Sequence, residues 1–351
     1  MEETQGWRSA LWPEWAVDSK LGSGSFGHVY KIRRTDIGGT YFAALKVLSI
    51  PSEEDQGASL NPGDREQLTA CYQGFAQEIS REFAVMERLK GHTNIVSYED
   101  HKIVAREDGV GWYVLIRMEL LTPMLEHLNQ TGCPESEVIR LGSDICDALI
   151  LCQKENIIHR DIKPANIFIS HYGSYKLGDF GIALNAGLGW NERSARGTYP
   201  YMAPEVFQGR GYDASIDLYA LGLILYRLLN HGRAPFLPLP PEPLTTAVVE
   251  DAHRRRLAGH RLPPPAKASR ALAAVVLKAC APDPMDRYRT AEEMKRDLER
   301  CSAGGADYRV GGKFLRRDPE EYPAPRPAPM SESKTEGKAR MNKMFSAAGD
   351  L

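Results

Sequence analysis

The chain lacks the features that would place it in several special classes of protein. Its six cysteines include no Cys-x-x-Cys pair and no metal-ligand spacing, which predicts free thiols in a reducing compartment. A net charge of −2 gives no general attraction for nucleic acid. No apolar run reaches the roughly 18 residues of a membrane-spanning helix, and the start Met1-Glu2-Glu3 does not resemble a signal peptide. We therefore expect a cytoplasmic chain without a nucleic-acid partner or a membrane span, anchored only if it is part of a longer protein.

What the chain contains is the composition of an ordinary globular protein. Its 351 residues are 42% hydrophobic and 26% charged, which suffices for one large or two ordinary domains. The best candidate for a membrane span, Leu221 to Leu229, is interrupted by Arg227 and predicts a buried helix instead.

A charged loop at 157–169, flanked by isoleucine-rich runs, carries the strongest chemical signal. It offers Asp161, Lys163 and Asn166, and Asp179 follows in Gly-Asp-Phe-Gly. Carboxylate and amide oxygens bind Mg²⁺ together with substrate phosphates, and phosphoryl transfer depends mainly on positioning and charge neutralisation. Any one of these acids alone would more often cap a turn. Their joint spacing favours a phosphoryl-transfer site.

A glycine-rich segment near the start predicts a phosphate-covering hairpin. Gly22, Gly24 and Gly27 form Gly-x-Gly-x-x-Gly, a pattern that dinucleotide-binding turns share. Such a turn requires a helix next, whereas Val29 and its neighbours read as a second strand. Glycine allows the backbone to approach phosphates closely because it has no Cβ.

Lys46 is a charge inside the apolar strand 41–48. A surface lysine on an edge strand is the ordinary alternative. The segment Ala43-Ala44-Leu45-Lys46 instead resembles the Val-Ala-Ile-Lys motif, whose lysine holds nucleotide phosphates.

Together, His-Arg-Asp at 159–161, Asn166, the Asp-Phe-Gly at 179–181 and the glycine hairpin resemble the eukaryotic-like serine/threonine protein kinases, of the bacterial kind. The resemblance implies an α+β bilobal fold, with a small antiparallel-sheet lobe carrying one helix and a larger, mainly helical lobe. It divides the chain into an N-terminal extension at 1–14, a kinase domain at 15–300 (small lobe 15–118, hinge 119–123, large lobe 124–300) and a disordered tail at 301–351.

The resemblance also assigns catalytic roles. Lys46, held by Glu82 on an amphipathic helix at 75–89, binds the α- and β-phosphates of ATP, with Glu78 as the fallback partner. Asp161 orients the acceptor hydroxyl and accepts its proton, and Lys163 neutralises the migrating phosphoryl group. Thr198 is a contact to Asp161 and Lys163.

The cofactors implied are ATP and Mg²⁺, the metal being held by Asn166 and Asp179. Val29 and Ala44 are expected in the roof of the adenine pocket, Met118 at its back, and the hinge to bind adenine through its backbone. The full set expected to bind the nucleotide is Leu21, Gly22, Gly24, Gly27, Val29, Ala44, Lys46, Met118, Glu119, Leu121 and Phe168.

The rest of the kinase domain is predicted from periodicity and prolines. Strands are expected at 103–104 and 112–121, the latter ended by Pro123, and at 175–177. Helices are expected at 138–152, from Asp217 to Leu229, at 251–259, 271–280 and 291–298. Arg254 to Arg256 are read as a solvated charged face, and Arg287 as the family's buried partner of Glu205.

The expected acceptor is a protein serine or threonine, because Lys163 and Thr198 are typical of serine/threonine kinases. Three tyrosines, Tyr199, Tyr201 and Tyr212, keep dual specificity open. Ser194 is the candidate for autophosphorylation, with Arg160 as the cation that would pair with the phosphate, although a plain loop serine is an equal alternative. Self-association for trans-autophosphorylation is left open.

Two alternative hypotheses about the function remain. A pseudokinase scaffold usually lacks the lysine or an aspartate, and all are present here. A small-molecule phosphotransferase of similar fold seldom carries the full glycine hairpin together with Met-Ala-Pro-Glu and Arg287. The proline-rich tail also allows a partner-binding role.

Overall fold

A computed structural model describes residues 6–24, 27–50, 83–106, 111–180 and 199–302. The chain divides into two compact units, one of Met1–Gly132 with Pro164–Ser194 and one of Cys133–Lys163 with Ala195–Leu351. Glu78, Glu82, Ser194, Thr198 and all but the first two residues of the predicted tail lie outside the described residues.

The first unit contains a five-stranded antiparallel sheet in the order β1-β2-β3-β5-β4. Its strands are β1 (Ala16–Gly24), β2 (Gly27–Asp36), β3 (Gly39–Ile50), β4 (Tyr98–Ala105) and β5 (Trp112–Met118). β-Branched and aromatic residues, which the pleated surface of a sheet favours, make up more than half of β5.

Apolar side chains cover both faces of this sheet, because successive residues of a strand point to opposite sides. Leu45 and Val47 of β3 pack in one cluster, here called the outer layer, with tryptophans from before β1. Leu48 and Ile50 pack in a second cluster, the inner layer, with Phe83. Phe83 opens the described part of helix α1, residues 83–89.

The described part of the N-terminal extension, residues 6–14, contributes to the outer layer. A 3-10 turn at Gly6–Ala10 buries Trp7, and Trp12 and Trp15 are buried beside it.

A second, three-stranded sheet completes the first unit. It contains β6 (Thr122–Pro123), β7 (Ile167–Ile169) and β8 (Tyr175–Leu177), and helix α2 (Met124–Thr131) follows β6 directly. The predicted strand at 112–121 was therefore too long, since β5 ends at Met118. Pro123 does not end that strand but forms part of β6, where it pairs with Phe168.

The second unit is helical. Its helices are α3 (Glu135–Lys154), α4 (Pro204–Phe207), α5 (Ser215–Leu228), α6 (Thr246–Leu257), α7 (Arg270–Ala279) and α8 (Ala291–Ser302). The predicted helices are confirmed, although α6 begins five residues before the predicted start, where the side chain of Thr245 accepts a hydrogen bond from the Val248 N–H. The α+β class is likewise confirmed.

Helix α5 is the buried centre of this unit, since it is mostly apolar and every residue from Ser215 to Tyr226 is buried. Gly222 lets α7 approach closely, because a Cβ there would lie 2.8 Å from the side chains of Ala279 and Cys280. No helix in the described part of the chain is long and apolar enough to cross a membrane.

Candidate active site

Lys46 and Asp179 form an ion pair in the first unit. Lys46 lies on the inner face of β3, where its side chain is 15% exposed, and its Nζ donates to Asp179 Oδ1. Asp179 comes two residues after β8 and has a φ of +60°. A non-glycine residue in this left-handed region is uncommon and points to a functional constraint. The structure thus brings together two of the predicted site residues.

The small sheet places Asn166 next to the segment that carries Asp179. It ends a 3-10 turn, Pro164–Asn166, and is 2% exposed. Its carbonyl accepts the Gly178 N–H at 2.8 Å, because β7 and β8 pair in antiparallel register from Ile167 opposite Leu177. Asn166 and Asp179 therefore extend from the two facing ends of one hairpin.

These two oxygen donors fit a magnesium ion that is shared with phosphates. Among the described residues there is no group of three His, Cys, Asp or Glu side chains that could hold a metal by themselves. Mg²⁺ commonly takes one or two carboxylates and completes its octahedron with water and substrate phosphates. Asp179 and Asn166 match that donor set.

The glycine hairpin has the predicted form, two antiparallel strands with Gly24 opposite Gly27. Gly27 is required by the fold, since its φ is +144° and a Cβ would lie 2.0 Å from the carbonyl oxygen of Val47. At Gly22, by contrast, a Cβ would meet nothing within 4 Å. The protein's own packing does not require glycine at 22, and the missing Cβ leaves the backbone open to close approach by a ligand.

The expected adenine-pocket residues lie on the strands around Lys46. Val29 pairs with Lys46 across β2 and β3, and Ala44 pairs with Met118 across β3 and β5. Leu21 of β1 is 51% exposed. A cavity of about 30 Å³ is lined by Lys46, Met86, Leu89, Ile95, Val96, Tyr98, Ile116, Met118, Gly178, Asp179 and Phe180, so Met118 lines it whereas Leu21, Val29 and Ala44 do not. Met118 and Lys46 thus face a common space.

The start of the predicted hinge is fixed by Glu119. Its N–H donates to the Ser97 carbonyl at 3.1 Å. Its carboxylate accepts the Ser97 N–H at 2.5 Å and pairs with Lys176 at 2.7 Å. The N–H of Glu119 is engaged within the protein, so its carbonyl is the group it can offer to a nucleotide. Leu121, two residues on, is partly buried.

The loop of the second unit that carries Asp161 is held by a buried carboxylate. Asp217, which is 3% exposed, accepts the N–H of His159 at 2.8 Å and that of Arg160 at 2.9 Å. Burial raises the pKa of Asp217, and the positive charges and N–H donors of the loop partly oppose that rise. Arg160 is held at a φ of +67°, so the two bonds fix a strained backbone.

Within that loop, Lys163 Nζ lies 2.8 Å from Asp161 Oδ2. The Asp161 N–H donates to His159 Nδ1 at 3.3 Å, and His159 is 2% exposed. A carboxylate beside a lysine suits a group that must accept a proton while phosphate charge is neutralised nearby.

Two buried arginines anchor the segment that follows Thr198. Arg287 bonds both oxygens of Glu205, at 2.6 and 2.8 Å, and both side chains are fully buried, as predicted. Arg256 is 2% exposed and donates to the Met202 carbonyl at 2.5 Å and to the Tyr219 hydroxyl at 3.3 Å.

The reading of Arg254 to Arg256 as one solvated face was therefore wrong for Arg256. Helical spacing places Arg256 on the same side of α6 as Ala252, but only the packing of α6 shows that this side is buried. Sequence reasoning also gave no role to Asp217, although an acid at the start of a wholly apolar helix is a recognisable anomaly.

Most of the chain is similar to known protein kinases. The protein kinase domain model matches residues 15–298. The chain is 33% identical over 233 residues to serine/threonine-protein kinase PrkC of Bacillus subtilis, covering 66% of this chain and 34% of that protein. It is 30% identical over 335 residues to the probable serine/threonine-protein kinase PknB of Corynebacterium glutamicum, covering 88% and 45% respectively. The matches thus span less than half the length of these curated relatives.

Proposed function

We propose, since this chain belongs to the protein kinase family, that it transfers the γ-phosphoryl group of ATP to serine and threonine hydroxyls of proteins. The observation that carries the proposal is the ion pair between Lys46 and Asp179. This ion pair places a cation next to a carboxylate within one unit, and phosphoryl transfer requires both groups. Two relatives that match this chain are named serine/threonine-protein kinases, which supports the acceptor class.

The first unit handles the nucleotide in this proposal. Lys46 binds the α- and β-phosphates, with Glu82 as the partner that orients it. The backbone of the glycine hairpin at 22–27 covers the phosphates, and the hinge at 119–123 binds adenine. Asp179 and Asn166 would hold Mg²⁺, which supplies charge neutralisation to the phosphates when bound.

The remaining adenine contacts come from side chains on five strands and from the hinge. Val29 and Ala44 cover the base, Phe168 of β7 supports it from the opposite side, and Met118 closes the back of the pocket. Leu21 and Leu121 flank the opening. These contacts are apolar, as most nucleotide pockets require.

The residues assigned to the acceptor belong to the second unit. Asp161 orients the hydroxyl and accepts its proton, and Lys163 neutralises the charge that develops on the transferring group. Asp217 acts through them, because it holds the loop backbone at His159 and Arg160. We assign to Thr198 the contact to Asp161 and Lys163 that the resemblance to kinases implies.

The domain extends over 15–300 in this proposal, and the chain acts in the cytoplasm on protein substrates, with autophosphorylation by self-associated copies. Retention of Lys46, Asp161, Asn166 and Asp179 weighs against a pseudokinase. The buried Glu205–Arg287 pair accompanies a full kinase domain rather than a small-molecule phosphotransferase.

A transfer assay tests the proposal. Purified chain is incubated with Mg-ATP labelled at the γ-position and with a generic basic protein, an aminoglycoside panel or choline. Label on serine or threonine of the protein supports the proposal, and Asp161→Asn should lose turnover while it retains ATP binding. Label on the small molecules alone, or ATP binding without any transfer, would replace it with one of the two alternatives.

A further inference from the structure

Residues 6–15, here called the N-terminal strap, cross the outer face of the sheet that carries Lys46. Trp7 and Trp12 are 4% and 8% exposed, and both precede residue 15, where the match to the kinase domain begins. These tryptophans are thus buried in the first unit without belonging to the matched domain.

The strap packs directly behind Lys46. Leu45 and Val47, the neighbours of Lys46 in β3, are 0% and 4% exposed and belong to the outer layer with Trp7 and Trp12. Because side chains alternate along a strand, whatever holds Leu45 and Val47 on the outer face also sets the position of Lys46 on the inner face.

The strap also reaches the glycine hairpin through aromatic contacts. The ring of Trp7 lies 5.0 Å from that of Tyr30 on β2. Tyr30 in turn makes an edge contact, with ring centroids 6.3 Å apart, to His28. His28 directly follows Gly27, the last glycine of the hairpin, so a row of rings leads from the strap to the turn that covers the phosphates.

Polar contacts pin the strap to β4. Trp12 Nε1 donates to Asp100 Oδ2 at 2.7 Å, and the Ala10 carbonyl accepts Lys102 Nζ at 3.1 Å. Lys102 and Arg117 each lie 4.9 Å from the Trp12 ring. A buried indole N–H with a carboxylate partner is a specific contact, unlike apolar packing alone.

β4 connects the contact between Trp12 and Asp100 to helix α1. Asp100 also accepts the N–H of His101 at 2.8 Å, and the His101 ring stacks on Phe83 at 3.6 Å. Phe83 directly follows Glu82, the predicted partner of Lys46. The strap therefore contacts β3, the strand that bears Lys46, directly. It reaches the glycine hairpin through Tyr30 and His28, and helix α1 through Asp100 and His101.

We infer that Trp7 and Trp12 are positioning residues for the nucleotide site: they fix β2, β3 and β4 from the outer face so that Lys46 meets the phosphates correctly. The inference rests on the proposed function. It predicts that residues outside the matched kinase domain control how the enzyme uses ATP.

The test compares Trp7→Leu, Trp12→Phe and a control, Trp112→Leu, in the full chain. Trp112 is a partly buried tryptophan at the start of β5. Initial rates are measured against ATP and against the acceptor protein, at a temperature where circular dichroism shows each variant folded. Mg-ATP affinity is measured separately by calorimetry, which does not need turnover.

Misplacement of a positioned group by about 1 Å can cost on the order of 100-fold in rate. We expect kcat/KM for ATP to fall at least about tenfold in Trp7→Leu and several-fold in Trp12→Phe, with the acceptor KM within about twofold. Trp7→Phe should restore most of the loss, and Trp112→Leu should leave the constants unchanged. A purely structural strap would lower stability but leave the constants of the folded enzyme unaltered.

Folded Trp7→Leu and Trp12→Phe with wild-type kcat/KM for ATP and wild-type Mg-ATP affinity would overturn the inference. If Trp7→Leu does not fold, Trp12→Phe, which keeps a ring at that position, decides the question alone. A wild-type chain that binds Mg-ATP but modifies no protein would overturn the proposed function instead, and the affinities of the variants would still decide on the strap.

Discussion

Lys46 Nζ donates to Asp179 Oδ1, although 133 positions separate the two residues in the sequence. Each reaches the contact by a different route. Lys46 is placed by the alternation of an apolar strand, and Asp179 by a left-handed turn after β8. The ion pair therefore brings the Ala-Ala-Leu-Lys motif of β3 and the Asp-Phe-Gly motif together in the first unit.

Loss of the lysine of this pair should abolish turnover. In Lys46→Met, kcat should fall by roughly 10²–10³-fold, because a preorganised charge at the phosphates is removed. Lys20→Met, which changes an exposed lysine of β1, should retain wild-type rates. Steady-state phosphorylation of a basic protein measures both. Equal rates in the two variants would contradict the role assigned to Lys46.

The buried pair of Glu205 and Arg287 should matter for stability. Arg287→Met leaves the carboxylate of Glu205 buried without its charge partner, which should lower the free energy of unfolding by about 3–5 kcal/mol. The double variant, Arg287→Met with Glu205→Leu, should recover part of that loss. Urea denaturation measures the three chains, and a double variant less stable than the single one would contradict the argument.

Neighbouring arginines of α6 offer a matched comparison. Arg256→Met removes donors from the buried Met202 carbonyl and should cost about 2–4 kcal/mol of unfolding free energy. Arg254 pairs with Asp251 at an exposed site, so Arg254→Met should cost less than about 0.5 kcal/mol. Thermal unfolding of both variants tests this, and similar losses would mean that Arg256 is no more anchored than its neighbour.

Asp217→Asn should damage catalysis more than folding. The amide supplies one acceptor oxygen where the carboxylate serves two N–H donors, so one buried donor loses its bond at about 1–3 kcal/mol. Because the freed backbone carries Arg160 and leads to Asp161, kcat should drop well beyond the fraction unfolded. Activity normalised to folded protein checks this. A kcat that tracks the folded fraction would assign Asp217 a structural role only.

His253 should make stability depend on pH in the acidic range. Burial, followed by the charges of Arg256 and Arg227, lowers the pKa of His253 from 6.5 to about 4. Between these values the unfolded chain binds a proton that the folded chain does not, so stability falls as pH decreases from 6.5 to about 4. The full shift is worth about 3 kcal/mol of unfolding free energy.

His253→Gln removes this titration. The difference in unfolding free energy between wild type and variant should therefore change across that window and stay constant above it. Urea denaturation at a series of pH values provides the measurement. A constant difference from neutral pH down to about 4 would show that His253 titrates alike in both states.

Much of the fold could be predicted from the sequence, because the patterns that indicate its helices and strands are local. The alternation in 41–48, the helical period from Val138 to Cys152 and the apolar run after Asp217 each predict an element from adjacent residues. The family prediction is confirmed by the match over 15–298. Boundaries set by distant partners were missed: β5 stops at Met118 because the chain joins a second sheet at Thr122, where its partner is Ile169.

The sequence by itself determined the family, because the motifs at 157–169 and 179–181 are fixed spacings of neighbouring residues that need no distant contact to be recognised. Only the tertiary structure decided which charges are buried and what covers the sheet. Arg254 and Arg256 look alike in the sequence, and Trp7 shows no pattern at all. Whether these side chains are buried depends on the residues that pack against them, and those residues lie far away in the sequence. Burial is therefore a property of the folded chain and not of the single residue.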